Sequence, residues 1–381
     1  MTACLSPNGR TEYFGDGPLQ TLKVGTIEGI YTFSRGSQAA PWCAVDRVHP
    51  EWPVSSLLLE PRSRLMFAGV HGGGGLWRSS DQGKTWNRIA RDIPSHIYSV
   101  QCQYIGQQAR LWVGVEPASL YVSNDLGQTW TECATLKTMP EHENWTFPPP
   151  PHIAHVKGVA WHDSAPDTLF VLVEQGGLFK TTDAGRTFSE LKGYLIGDQQ
   201  FYRDSHRVCI SRRDPQRVYF ATGDGLCRSD DGGESWRYLL TKEGRIGYPD
   251  AMFIDALDER KIVLGGPKSA PRTWISSQNA AATVLVSTDG GDTWSEKAAG
   301  MNAPVKGNIE AMAMYAGQGH VTYVAGTATG QVFLSEDGCE SWKCLADDLP
   351  PISKAGHYRW FLSEGERKVI EERMKAWKNA V

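Results

Sequence analysis

Four short apolar runs of this sequence end on a histidine or an acid, closely followed by glycine or proline. They are "FAGVHGGGG" with His71, "WVGVEPAS" with Glu116, "VLVEQGGL" with Glu174 and "ATGDGL" with Asp224. Related runs carry a small residue at the same place, as at Thr26 and Thr327. Because an acid beside a buried strand costs desolvation free energy, these positions favour a functional role, most strongly for Glu116 and Glu174.

A second set of polar residues stands where other apolar runs begin. Its histidines are His49, His96, His155, His206 and His357, and near them lie His152, Asp204, Tyr248, Asp250, Asn308 and Glu310. Together the two sets hold seven of the ten histidines of the chain. Scatter along the whole chain would not concentrate histidine at so few positions. We therefore expect both sets to lie on one face of the fold.

Histidine and carboxylate side chains together suit two kinds of chemistry. They bind zinc, iron or manganese, and they form a general acid–base set because histidine titrates near neutrality. The predicted cofactor is thus one of these divalent metals, or none. We assign acid–base roles to Glu116, Glu174, His155, His206 and Asp204, metal ligation to His71, His155, His206, Glu116 and Glu174, and substrate contact to His152, Tyr248, Asp224 and His96. For any single residue, the alternative is a hydrogen-bonded group on a solvated rim.

An eight-residue motif recurs along the chain and indicates the elements that position these residues. Its copies are "SSDQGKTW", "SNDLGQTW", "TTDAGRTF", "SDDGGESW", "STDGGDTW" and "SEDGCESW", with the fixed acids Asp81, Asp125, Asp183, Asp231, Asp289 and Asp337. Successive acids are 44 to 58 residues apart. A period of this length predicts a propeller or a solenoid.

Residues 206–240 indicate what one repeat builds. "HRVCIS", "RVYFATG", "GLCRS" and "SWRYLL" are predicted strands joined by turn residues, and four such strands make one propeller blade. The motif then fills the turn between the third and fourth strands. Its Asp accepts backbone N–H groups, its glycine allows positive φ, and its aromatic residue packs between sheets. It lacks the full set of oxygen ligands of a calcium loop, so we interpret it as structural.

The same blade geometry places the polar sets. Connections from strand two to strand three, and from strand four to the next blade, share one face of a propeller, and the Asp turns lie on the other. Both polar sets belong to the first face. The sequence therefore predicts a histidine–carboxylate site at the mouth of the central channel.

The six motifs, each following a strand such as "GLCRS", resemble the Asp-box (BNR) repeat over nearly the whole chain. This resemblance implies a β-propeller like those of sialidases, xyloglucan hydrolases, sortilin-type receptors and the photosystem II assembly factor. Because these relatives do unrelated things, it does not imply one function. Lines such as "VEQGGLFKTTDAGRTF" look most like uncharacterised bacterial single-propeller proteins labelled glycosyl-hydrolase-like.

The individual activities of these relatives are not expected of this chain. Sialidases take the first arginine of a substrate-binding triad from an "RIP"-like motif, and this chain has no "RIP". Xyloglucan hydrolases hold substrate between two seven-bladed units, whereas the repeats here suffice for one. The photosystem II assembly factor is seven-bladed and binds protein.

The number of blades follows from one degenerate repeat. Residues 22–47 have the same spacing of predicted strands as the other repeats but no intact motif. Trp42 stands at the position of the packing aromatic residue. This predicts seven four-stranded antiparallel blades, with six as the alternative, and residues 356–363 are expected to supply the missing first strand. Capping and helical spacing predict a terminal helix over 363–378, so we expect a propeller over 1–362 and a packed helix over 363–381.

Composition excludes several classes of protein. The formal net charge of −4 argues against a nucleic-acid or anionic-membrane binder. We find neither a run of eighteen apolar residues nor a signal-peptide pattern, so a soluble cytoplasmic protein, with no membrane contact, is expected. The eight cysteines form no CxxC pair and are expected to be free thiols.

Two functional hypotheses follow. The first is an enzyme, a hydrolase or lyase for a small molecule, using a metal or acid–base chemistry in the channel. It predicts that His155, His206, Glu116 and Glu174 converge within ligand distance. The second is a binding or assembly scaffold with a protein partner, for which these side chains would lie apart.

Overall fold

A computed structural model describes residues 1–148, 151–196, 203–274, 277, 279–301 and 304–353. These residues form seven β-sheets with four strands per blade, which confirms the seven-bladed prediction over the six-bladed alternative. The predicted helix at 363–378 lies outside the described residues. In the described part of the chain, no helix is long and apolar enough to cross a lipid bilayer.

Blades 2 to 7 each contain four consecutive antiparallel strands, ordered from the channel outward. Blade 2 has β6 (Val54–Leu59), β7 (Met66–Val70), β8 (Gly75–Ser79) and β9 (Asn87–Ile89); blade 3 has β10 (His96–Ile105), β11 (Gln108–Glu116), β12 (Ser119–Ser123) and β13 (Thr131–Glu132); blade 4 has β14 (Val156–His162), β15 (Ala165–Val173), β16 (Gly177–Thr181) and β17 (Ser189–Leu191). Blade 5 has β18 (Ser205–Ile210), β19 (Val218–Thr222), β20 (Gly225–Ser229) and β21 (Arg237–Thr241); blade 6 has β22 (Ala251–Ile254), β23 (Ile262–Gly266), β24 (Thr283–Ser287) and β25 (Ser295–Glu296); blade 7 has β26 (Ile309–Gly317), β27 (His320–Thr327), β28 (Val332–Ser335) and β29 (Lys343–Ala346), with β2 (Glu12–Phe14) added beside β26. Short 3-10 turns form at Ala134–Thr138, His142–Asn144 and Pro271–Thr273.

Blade 1 closes the ring with the N-terminus of the chain. Its strands are β1 (Thr2–Leu5), β3 (Thr21–Thr26), β4 (Gly29–Ser34) and β5 (Cys43–Val48). β1 pairs with β3 in parallel and packs between β26 and β6, the inner strands of blades 7 and 2. The prediction that residues 356–363 supply this strand is therefore wrong, because β1 occupies the position; residues 356–363 themselves lie outside the described part.

The chain after β1 enters the central channel. The backbone N–H of Leu57 donates to Ser6 Oγ (2.7 Å), and Arg207 Nη2 donates to Pro7 O (2.6 Å). Further along, β2 pairs in parallel with β26. Residues 6–14 thus contact blades on different sides of the channel and form part of its lining.

The Asp-box turns have the predicted hydrogen bonds, shown here by the first of the six. Ser79 Oγ donates to Asp81 Oδ1 (2.8 Å) and accepts the N–H of Gly83 (2.8 Å). Asp81 Oδ1 accepts the N–H of Thr85 (2.9 Å), and Oδ2 accepts its hydroxyl (2.6 Å). The same hydroxyl-to-Asp and hydroxyl-to-backbone bonds recur in the other five motifs. The motif is therefore a stabilised turn between the third and fourth strands.

The sixth motif keeps this geometry without its glycine. Cys339 adopts a φ of 75°, close to the 83° of Gly83 at the same place in the first motif. Only glycine adopts that region without steric cost. The Cys339 side chain is fully buried in the core beside Trp342, so its packing offsets part of that cost.

A first prediction concerns Ser79→Ala. Because this change leaves the buried N–H of Gly83 without its acceptor, we expect the free energy of unfolding to fall by about 1–3 kcal/mol. Urea denaturation followed by tryptophan fluorescence measures the loss. The exposed Ser37 supplies the control, since Ser37→Ala is expected to change stability by less than about 0.5 kcal/mol. Equal stability of the two variants would contradict the structural role of the motif.

A second prediction concerns acid pH. Hydrogen bonds from the side chain and backbone of Thr187 lower the pKa of Asp183 to about 2. A carboxyl whose pKa is lower in the folded state stabilises the fold above its unfolded pKa, and this contribution is lost as pH falls toward the folded pKa. We expect Asp183→Asn to lower the melting temperature most at pH 7. The difference from the original protein should shrink between pH 4 and pH 2; a difference that is independent of pH would contradict this linkage.

Candidate functional site

The pairing of the first two strands in each blade brings the two predicted polar sets together. In blade 3, His96 begins β10 and stands opposite Glu116, which ends β11. In blade 4, the N–H of Glu174 donates to the carbonyl of His155 (3.2 Å). In these blades, the residue at the start of the first strand therefore lies beside the residue at the end of the second strand. The predicted face of the propeller is the observed one.

A first cluster, which we call the mouth cluster, surrounds the carboxylate of Glu116. His71 Nε2 lies 3.4 Å from Glu116 Oε2, and His96 Nδ1 lies 3.6 Å from Glu116 Oε1. His155 Nδ1 lies 3.6 Å from Glu116 Oε2. The side chains of His71 and His96 are 15% and 34% exposed, so this cluster faces solvent. One ligand atom from each of His71, His96 and Glu116 lies within 4.8 Å of the others, a spacing that a metal ion could bridge.

The second cluster, which we call the buried network, continues inward from His155. His155 Nε2 lies 2.7 Å from Glu174 Oε2, and Lys157 Nζ donates to Glu174 Oε1 (3.0 Å). Each carboxylate oxygen of Glu174 thus has a polar partner, His155 or Lys157. The side chains of His155, Lys157 and Glu174 are at most 1% exposed. This burial makes the pairing obligatory, because an isolated charge here would be costly.

Asp204 and His206 extend the buried network into blade 5. His206 Nε2 lies 3.3 Å from Asp204 Oδ1, and His206 Nδ1 lies 2.6 Å from Pro249 O. Tyr248 donates its hydroxyl to Asp204 Oδ2 (3.0 Å). Ligand atoms of Glu174, Asp204 and His206 also lie within 4.8 Å of one another. The structure therefore connects His155, Glu174, Asp204, His206 and Tyr248.

The far side of the network reaches blades 6 and 7. Lys157 Nζ lies 3.6 Å from Asp250 Oδ1, and Asn308 Nδ2 donates to Asp250 Oδ2 (3.0 Å). Further on, Ser353 donates its hydroxyl to Glu310 Oε2 (2.9 Å). Polar contacts therefore run across the channel rather than around a single blade.

Aromatic rings hold His155 in place. Its imidazole stacks on Tyr98 with ring centroids 3.3 Å apart, and Phe147 meets it edge-on at 4.7 Å. Phe147 belongs to the proline-rich segment 139–154 between β13 and β14, which we call the insertion, and its ring covers the buried network at His155. The two rings together restrict the orientation of His155 between Glu116 and Glu174.

The pKa shifts follow from burial and from the histidines. Burial opposes ionisation of Glu116, but hydrogen bonds from His155 and His71 hold its pKa well below the ordinary value. Burial likewise opposes ionisation of Asp204, and the charge of His206 lowers its pKa. Burial and the charge of Asp204 raise the pKa of Tyr248 well above its usual range. Both carboxylates thus stay ionised, and the tyrosine keeps its proton.

Two of the residues that we assigned to substrate contact, His152 and Asp224, lie apart from these clusters. His152 Nδ1 lies 2.9 Å from Phe147 O, within the insertion. Asp224 has a pKa raised by burial, and its backbone N–H donates to Thr222 Oγ1 (3.2 Å). Among the described residues, neither side chain makes a hydrogen bond or an ion pair with the mouth cluster or the buried network.

The sequence reading missed two members. Lys157 and Tyr98 follow His155 and His96 by two positions, and residues two apart on a strand share a face. That spacing could have identified both residues once the histidines were placed in the channel. Lysine alone gives no such signal, because it is seldom fully buried unless paired.

The comparisons with known proteins agree with the repeat and the fold. The BNR/Asp-box repeat model matches residues 285–296. A curated xyloglucanase from Paenibacillus sp is 24% identical over 229 residues, covering 52% of this chain. The chain spans only 21% of the length of that relative.

Two solved structures show the same architecture. An ancestral GH74 enzyme superposes with a TM-score of 0.58 at 11% identity, over 74% of this chain and 36% of that one. YCF48, solved with a bound D1 peptide, superposes with a TM-score of 0.53 at 13% identity, over 84% of this chain and 91% of its own. At such identities the likeness concerns the fold alone. The chain is an Asp-box repeat β-propeller of the structural type found in GH74 enzymes and YCF48.

Proposed function

We propose that this protein processes a small molecule at the mouth cluster, as a metal-assisted hydrolase or lyase. The observation that carries this proposal is the convergence of His71, His96 and Glu116 at the solvent-facing end of the channel. Two imidazoles and one carboxylate form a ligand set for zinc, iron or manganese. A site with three protein ligands leaves room for water or substrate.

The residues around the cluster suit this role. Glu116 is ionised because of its contacts with His155 and His71, as a carboxylate ligand must be. His155 lies between Glu116 and Glu174, within 3.6 Å and 2.7 Å of their oxygens. In metal sites, outer groups that orient a ligand tune its position and basicity. A metal bound here would polarise substrate and lower the pKa of a coordinated water.

Acid–base chemistry needs a group that accepts and returns a proton. The imidazole of His155 has one nitrogen toward each carboxylate, so a proton could pass through it between Glu116 and Glu174. Stacking on Tyr98 prevents the ring from turning. Among the described residues, His155 therefore has the best-defined orientation for such a role.

The second candidate function is a binding or assembly scaffold with a protein partner. One observation favours it: most of the polar residues are fully buried and paired, as in a structural network. On this interpretation the buried network stabilises the channel, and the propeller surface binds the partner. The two functions differ in whether the mouth cluster binds metal.

Metal analysis of the purified protein tests the proposal. After incubation with zinc, manganese or ferrous iron and removal of excess, we expect about one ion per chain. The variant His71→Ala/His96→Ala should lose the ion because two of three ligands are gone. The matched control His162→Ala/His320→Ala removes two histidines outside both clusters and should keep it.

Thermal melting confirms that the variants are folded before their metal content is compared. Failure of the original protein to hold any of the three metals would contradict the metal-assisted function. Equal metal content in the two double variants would contradict the assigned site.

A further prediction separates structural from chemical roles. Glu174→Gln removes the charge that pairs with Lys157, whose remaining ion pair is with Asp250 at 3.6 Å. Breaking a buried pair is strongly destabilising, so we expect a loss of about 3 kcal/mol in the free energy of unfolding. Urea denaturation measures it.

Glu132→Gln is the matched control, because Glu132 pairs with Lys137 at the surface. We expect it to cost less than about 1 kcal/mol. If Glu174→Gln were as stable as Glu132→Gln, the pairing of Glu174 with Lys157 would not contribute to folding.

A further inference from the structure

The central channel contains a cavity of about 720 Å³, which we call the channel cavity. It extends from Lys157 and His206, near the beginnings of their strands, to Gly106 and Asp163 in the turns where β10 and β14 end. It therefore reaches the propeller face opposite the mouth cluster. A volume of this size is typical of small-molecule sites.

Arg207 is the distinctive residue of this cavity. It is only 8% exposed, yet it lines the cavity wall. Its Nη2 donates to Pro7 O (2.6 Å), while Nε has no hydrogen-bond partner in the part of the chain that the structure describes. No carboxylate within the described residues lies at ion-pair distance from it. The charge of Asp250 acts on Arg207 only from beyond that distance. A buried guanidinium without an ion pair is costly, so its presence needs an explanation.

Other basic groups on the cavity wall have partners. Arg212 forms an ion pair with Glu12, and Lys157 pairs with Glu174 and Asp250. Among the described residues, the wall carries five Lys or Arg residues and two acids, an excess of positive charge that Glu174 and Asp250 reduce at Lys157. Two of these five residues, Lys157 and Arg207, are buried, and of the two only Lys157 has carboxylate partners at ion-pair distance among the described residues.

Apolar side chains form another part of the wall, beside polar ones such as Gln101 and Ser211. Trp161, Val159, Leu172 and Met252 line the cavity together with Arg207. A ligand that only neutralised charge would leave this surface in contact with water. A ligand with an apolar body and one anionic group would satisfy both parts of the wall.

We propose that the channel cavity binds a small organic anion, with its carboxylate or similar group on Arg207 and its apolar body against Trp161 and Met252. A charged hydrogen bond to the guanidinium is stronger than a neutral one, so the anionic group dominates recognition. This site is distinct from the mouth cluster and does not depend on a metal there. The competing explanation is that Arg207 serves only to hold Pro7 in the channel.

Calorimetric titration with a matched pair of probes tests the proposal. The anionic probe is 4-phenylbutyrate, and the neutral probe is 4-phenylbutyramide, which has the same shape without the charge. We expect the carboxylate to bind at least about tenfold more tightly than the amide. Binding should weaken at least about tenfold in Arg207→Gln. Arg213→Gln removes an arginine whose side chain is 83% exposed and should bind like the original protein.

A second variant keeps the test valid if Arg207→Gln does not fold. Gln101 lines the cavity without being fully buried, so Gln101→Trp should fill the space and abolish binding while Arg207 is retained. Three results would overturn the proposal: equal binding of the two probes, no binding of the carboxylate at millimolar concentration, or unchanged binding in both cavity variants.

Discussion

The pairing of the first two strands within each blade is the constraint on which the rest of the structure depends. It places the residue at the start of an inner strand beside the residue at the end of the second strand, as with His96 and Glu116. Seven inner strands around one channel then bring several such pairs together. A site made from residues far apart in sequence therefore needs no dedicated loop, because the strand ends supply it.

Much of the fold follows from interactions within a single repeat. The Asp-box turn is predictable because Ser79, Asp81 and Thr85 bond only to one another and to nearby backbone. The closure of the ring is different in kind. β1 has four residues and pairs in parallel with β3 across an intervening strand. So short a segment has no periodicity that could indicate its partner.

The same distinction applies to the candidate site. The face and the convergence of His155, Glu116 and Glu174 follow from repeat geometry, which is why the sequence could indicate them. How deeply each residue is buried does not follow from repeat geometry, because burial depends on which other side chains cover the residue. Phe147 closes over His155, whereas His71 and His96 stay partly exposed at the mouth. The sequence therefore grouped ligand candidates that the structure divides into an accessible cluster and a buried network.

That division gives the channel two chemically different ends joined by the buried network. Lys157 belongs to both, because its ammonium pairs with Glu174 while its side chain lines the channel cavity. Charges inside a protein interact more strongly than in water, since little solvent screens them. The contacts from Lys157 through Glu174 and His155 to Glu116 therefore join the wall of the channel cavity to the mouth cluster.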